Sequence, residues 1–88
     1  MPDWGEIFTT AAEGFNIGML KRAAQQKAEH LLELSSAVAR RELKAASGEE
    51  FEGHMDILVE ALDNIARTND GRRAEFAAEL AEYAESLS

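Results

Sequence analysis

The sequence predicts an all-α protein. Alanine, glutamate, leucine and arginine are frequent, the one proline is at position 2, and apolar residues recur at spacings of three and four residues. We expect the 88 residues to form a single domain. It should contain a short N-terminal helix, a long helix and two shorter helices, at about residues 4–13, 17–46, 49–67 and 72–87. The last three should form an antiparallel three-helix bundle, which we expect to be oligomeric.

A capping box predicts the first helix. Asp3 and Glu6 have the spacing at which an N-cap side chain and a following glutamate both satisfy amide groups at a helix start. Trp4 and Phe8 then fall on one side of the helix. A glycine near its end favours termination, and the sequence leaves open whether residues 14–16 break the chain completely.

A seven-residue repeat of apolar side chains predicts the long helix. Its members are Ile17, Ala24, Leu31, Val38 and Ala45. A sustained repeat of this kind is typical of one amphipathic helix. Two antiparallel helices joined by a tight turn pair residues whose numbers have a constant sum. Val38 should therefore pack against Leu58 of the third helix. A second apolar flank of the long helix should receive the fourth helix, and its members are Ala28, Leu32, Ala39 and Leu43.

Turn and capping residues mark the last two helices. Ser47 and Glu50 form a second capping box, and residues 68–71 are types that favour a turn. The apolar stripe of the third helix is Phe51, Met55, Leu58, Leu62 and Ile65. The inward residues of the fourth helix are expected to be Phe76, Leu80, Tyr83 and Leu87.

The front of the long helix has no partner in this arrangement. The third helix is shorter, so it leaves roughly twelve residues of the long helix uncovered. Either the first helix folds back over this region or a second copy of the chain buries it. A chain of this length has a marginal core and no cysteine to form a disulfide, which favours a homo-oligomer. The expected interface consists of Trp4, Phe8, Phe15, Ile17, Leu20 and Ala24. Alternatively, the aromatic residues only cap the chain's own core.

The charge of the chain is confined to its second half. Residues 1–48 contain six acidic and six basic residues, whereas residues 49–88 contain eleven and three, which accounts for the net charge of −8. An acidic surface repels nucleic acids and anionic membranes, so we expect neither as a direct partner. No basic residue precedes a long apolar segment, and we expect a cytoplasmic location.

Acidic residues on the last two helices form the expected partner-binding face. One row lies opposite the apolar stripe of the third helix, and a second row lies on the fourth helix. They are Glu49, Glu52, Asp56, Glu60, Asp63, Glu75, Glu79 and Glu82. We expect them to bind a basic protein, as a regulator, an adaptor or an assembly factor would. An alternative is an inhibitor that imitates nucleic acid, because carboxylates along a helix can resemble a row of phosphates. The same residues can also be no more than a solvated helix face.

No residue pattern indicates catalysis. The chain lacks a cysteine nucleophile, a glycine-rich phosphate loop and a His-Glu-x-x-His motif, so we expect no enzyme and no cofactor. A metal-binding bundle is a distant alternative suggested by His30 near Glu33 and by His54 four residues after Glu50. The predicted helix register keeps the two histidines apart, and we assign no metal ligand.

Overall fold

The chain follows five helices in the computed structural model, which describes residues 4–13, 17–46 and 54–87, except for the side chains of Ala11 and Ala12. The helices are α1 (Trp4–Glu13), α2 (Ile17–Leu32), α3 (Ser36–Ala45), α4 (Met55–Thr68) and α5 (Arg72–Leu87). No strand occurs within the described ranges. The all-α prediction is confirmed.

Helix α4 occupies the centre of the packing. It packs along both α5 and α2, while α1 covers α2 and α3 lies against α5. Its buried residues are Met55, Leu58, Ala61, Leu62 and Ile65. The radius of gyration is 12.0 Å, which matches the value of about 12 Å expected for a compact chain of this length. The described helices therefore share one core.

The predicted continuous helix at 17–46 is wrong, because α2 and α3 are separate helices. The last turn of α2 tightens through bonds from the Glu33 and Leu34 amides to carbonyls three residues earlier, at 3.1 and 3.2 Å. Ser35 then adopts an extended conformation, and its hydroxyl accepts a bond from the Val38 amide. This N-cap starts α3 in a new direction. The buried residues of α3 are Ala39 and Leu43.

The helix break also overturns the predicted pairing of Val38 with Leu58. Leu58 is fully buried, whereas Val38 is 39% exposed. The cause is the direction of α3, which packs on α5 instead of extending the α2–α4 contact. The apolar flank that α3 uses, Ala39 and Leu43, is the one that the sequence assigns to contact with the last helix.

The α4–α5 connection is short and is held by backbone bonds. The Asn69 amide donates to the Ile65 carbonyl at 3.0 Å, and the Asn69 side-chain amide donates to the same oxygen. Gly71 has a φ of +88°, a conformation that favours glycine, and its carbonyl accepts the first bond of α5 from the Glu75 amide. The predicted start of the preceding helix at residue 49 and the capping box at 47–50 lie outside the described residues.

Candidate functional site

The acidic residues of α4 border α2. Asp56 and Glu60 are exposed, and Asp63 is half-buried. The Glu60 carboxylate lies 3.8 Å from the Lys21 ammonium group on α2. Side chains from both helices line a small cleft of about 100 Å³ at this contact. The other two residues predicted for this row, Glu49 and Glu52, lie outside the described residues.

The acidic residues of α5 border α3 and an open groove. Glu75, Glu79 and Glu82 are all exposed. The groove has a volume of about 300 Å³, which is at the lower end of the range for ligand pockets. Its lining consists of Arg40, Glu79, Glu82, Tyr83 and Ser86. Four of these five residues come from one face of α5, and Arg40 is the contribution of α3.

The groove already contains one contact between a cation and an aromatic ring. The guanidinium carbon of Arg40 lies 5.2 Å from the centre of the Tyr83 ring, within the distance at which such contacts are attractive. Within the described part of the chain, Glu79 and Glu82 form no ion pair. The groove therefore combines the Arg40–Tyr83 contact with two carboxylates that form no ion pair with any other described residue.

The two acidic rows lie on different flanks of the α4–α5 pair. The α4 row is next to α2 through Lys21, and the α5 row is next to α3 through Arg40. A partner that contacts the groove would reach Glu79 and Glu82 first. The sequence predicts one row on each of these helices, and the described members of the two rows border different neighbouring helices.

The residues predicted for a self-association surface are separated in a similar way. Phe8, Leu20 and Ala24 are buried within the chain, because α1 folds back over α2. Trp4 is half-buried, and Ile17 is 56% exposed. The remaining residue, Phe15, lies outside the described residues. The uncovered front of α2 that the sequence predicts is thus closed by α1, and the three buried side chains are not accessible to a second copy.

A buried charge that the sequence interpretation missed joins α2 to α3. Lys27 is only 2% exposed, and its ammonium group lies 3.0 Å from a carboxylate oxygen of Glu42. The second oxygen of Glu42 lies 3.5 Å from His30, and the Trp4 ring centre lies 5.7 Å from the lysine nitrogen. The available signal was spacing, because position 27 lies seven residues after Leu20 and seven before Leu34, at a second apolar position beside the seven-residue repeat.

Comparison of the chain with protein-family models, curated proteins and solved structures finds no match. The functional interpretation therefore depends on the geometry of the chain itself.

The histidines do not gather a set of metal ligands. His30 faces Glu42, and His54 occupies the N-cap position of α4 without a side-chain capping bond. Among the described residues, no three histidine, aspartate or glutamate side chains come close enough together to hold a metal ion. In the same part of the chain, no helix is both long enough and apolar enough to cross a bilayer.

Proposed function

We propose that this chain is a small protein-protein interaction module that binds a basic protein partner through the groove between α3 and α5. The observation that carries the proposal is the pair of carboxylates, Glu79 and Glu82, beside a tyrosine ring that already accepts a guanidinium group. An arginine or lysine of a partner would meet the negative charge of both carboxylates at this place. The net charge of −8 would speed the approach of such a partner.

The proposal retains the role expected from the sequence, that of a cytoplasmic regulator, adaptor or assembly factor acting as a homo-oligomer. In it, α2, α4 and α5 constitute the antiparallel three-helix bundle, and α3 forms the second wall of the binding groove. What supports this division is that α4 packs on both α2 and α5, while α3 packs on α5.

Neutralisation of the groove tests the proposal. The double variant Glu79→Gln/Glu82→Gln should lower retention of the bound partner about tenfold in comparative capture from extracts of the source organism, equivalent to about 1.4 kcal/mol. The matched control is Glu13→Gln/Glu33→Gln, which removes the same charge at two exposed positions away from the groove. Equal losses for both variants would indicate a general charge effect and contradict a groove-specific interaction.

Competition with DNA separates this function from the inhibitor that imitates nucleic acid. An inhibitor of that type occupies the DNA site of its target, so added duplex DNA should displace the chain from the captured protein. An adaptor or assembly factor that uses the groove should stay bound. Capture of a DNA-binding protein whose DNA binding is blocked would favour the inhibitor instead.

A further inference from the structure

The sequence of the α2–α3 connection is compatible with continuous helix. The connection is only three residues long, Glu33, Leu34 and Ser35. Residues 19–47 contain neither glycine nor proline. The break therefore results from tertiary contacts and one serine cap, without a residue that prohibits helix.

Two members of the seven-residue repeat, Val38 and Ala45, are not buried in the bent chain. Val38 and Ala45 continue the stripe to which buried Ala24 and Leu31 belong, yet both are exposed on α3. In one straight helix all four residues would follow a single face. The bent chain leaves the second part of that face uncovered.

Contacts across the break connect two separable units. The first unit is α1 with α2, and the second is α3 with α4 and α5. Between them lie the packing of α2 on α4, smaller contacts of α2 with α3 and α5, and, among the described residues, the His30–Glu42 contact and three Lys or Arg ion pairs. These pairs are Lys27–Glu42, Lys21–Glu60 and Glu29–Arg73.

We propose that two copies of this chain form a dimer by exchanging their α1–α2 units, with residues 33–35 straightened into continuous helix. Each α1–α2 unit then packs on the α3–α5 unit of the other copy and makes the same cross-unit contacts as before. The inference rests on the homo-oligomer of the proposed function and specifies how it forms.

The Lys27–Glu42 contact shows why the two arrangements exclude each other within one chain. The residues are fifteen positions apart, so in a straight helix their backbones would be separated by about 22 Å. Their side chains meet at 3.0 Å only because the chain bends. After straightening, the same contact can form only between copies.

Cysteine pairs linked by a short bismaleimide test the exchange, and the chain has no native cysteine to interfere. The pair Glu29→Cys/Arg73→Cys spans the two units at an exposed contact. It should give covalent dimers at micromolar concentration on denaturing gels. The control pair Arg40→Cys/Tyr83→Cys joins α3 to α5 within one unit, so it should give linked monomers in either arrangement. Lys21→Cys/Glu60→Cys is a second cross-unit pair, to be used if the first variant fails to fold.

Light scattering distinguishes failure of the exchange from failure of the proposed oligomer. If light scattering shows a dimer but the Glu29→Cys/Arg73→Cys variant is linked only within single chains, the exchange is wrong and the homo-oligomer is still supported. A mass of 9.7 kDa over the micromolar range would overturn both. Partner binding through the groove is a separate measurement that neither result decides.

A proline at the start of α3 provides an independent test. Ser35 has φ of −68° and ψ of 156°, the conformation that a residue before proline prefers. Proline is also favoured at the first helical position, so Ser36→Pro should fit the bent chain. In a straight helix it would remove a backbone bond and clash with the preceding turn. We expect Ser36→Pro to abolish the dimer, whereas Ser36→Ala should not, and an unchanged dimer in Ser36→Pro would overturn the proposal.

Discussion

At position 27 a lysine occupies a place that the spacing of its neighbours assigns to an apolar side chain. Leu20, Ala24 and Leu31 share its face of α2 and are all buried. The four methylene groups of a lysine can fill such a position, provided that the ammonium group finds a partner. Glu42 supplies a carboxylate, and the residue is 32% exposed, so the pair lies at the edge of the core. The ion pair therefore joins α3 to α2 at this edge.

The two halves of this ion pair should respond differently to substitution. Glu42→Ala removes a carboxylate that lies 3.0 Å from a buried ammonium group and should lower the free energy of unfolding by about 1–3 kcal/mol. Lys27→Met removes the charge and keeps most of the volume, so its effect should be smaller. In the Lys27→Met background, Glu42→Ala should cost less than about 0.5 kcal/mol. Urea denaturation of the wild type, the two single variants and the double variant measures this double-mutant cycle. A larger loss of unfolding free energy for Lys27→Met than for Glu42→Ala would contradict this account.

Leu62 and Val38 provide a second contrast between residues that the sequence interpretation treats alike. Leu62 is fully buried on α4, and Leu62→Ala should lower the free energy of unfolding by about 2–5 kcal/mol. Val38 belongs to the seven-residue repeat but is exposed, so Val38→Ala should change the free energy of unfolding by less than about 0.5 kcal/mol. Thermal unfolding monitored by circular dichroism provides the comparison. Similar losses for both variants would mean that Val38 is buried in solution.

At the scale of elements, the interior of α5 illustrates what periodicity does not resolve. The predicted inward residues Phe76, Tyr83 and Leu87 are only half-buried, whereas Leu80 is fully buried. The innermost positions also include Ala77, Ala81 and Ala84. Small side chains let α4 and α3 approach the helix closely, and the larger residues cover the sides of the contact. An apolar stripe shows which face of a helix is buried. Which side chains on that face lie innermost depends on how closely the neighbouring helices approach.

Replacement by alanine should change stability in opposite directions at two glycines, Gly71 in the α4–α5 turn and Gly18 on α2. Gly71→Ala should lower the free energy of unfolding by about 1–2 kcal/mol, because φ is +88° there, although no atom lies within 4 Å of an added methyl group. Gly18→Ala, at an exposed helical position of α2, should raise it by about 0.5–1 kcal/mol. Chemical denaturation measures both. Stabilisation by Gly71→Ala would show that the turn relaxes to a negative φ.

At the scale of the whole molecule, the net charge of −8 sets a dependence on salt. Acidic side chains such as Asp56, Glu75, Glu79 and Glu82 are exposed and have no ion-pair partner among the described residues. Their mutual repulsion destabilises the compact state and is screened by salt. The exposed Lys21–Glu60 and Glu29–Arg73 pairs are screened as well, but pairs of this kind contribute little.

Sodium chloride should therefore stabilise the protein. Between about 0.01 and 1 M, over which the Debye length falls from about 30 to 3 Å, we expect a gain of about 1 kcal/mol. For a small domain this corresponds to a rise in Tm of about 4–8 °C. Glu79→Gln/Glu82→Gln should show a smaller rise, because part of the repulsion is already removed. A Tm that falls with salt would mean that the ion pairs outweigh the repulsion.

The sequence by itself determined the helical class, the burial of the α4 stripe and the exposure of the acidic residues on α5. These follow from local propensity and from periodicities that repeat within one helix. It also favoured a flank of the long helix that includes Ala39 and Leu43 for contact with the last helix; both residues are buried, and α3 packs on α5.

Only the tertiary structure decided where α2 ends, what covers its front and how Lys27 is accommodated. A straight helix and a bent one satisfy nearly the same local preferences between residues 17 and 46, so the choice falls to contacts between distant segments. Within one chain, the packing of α2 on α4 together with that of α3 on α5, and the Lys27–Glu42 pair, require the bend between α2 and α3. These contacts join residues whose proximity no local pattern encodes, which is why the sequence predicts one helix and the structure contains two.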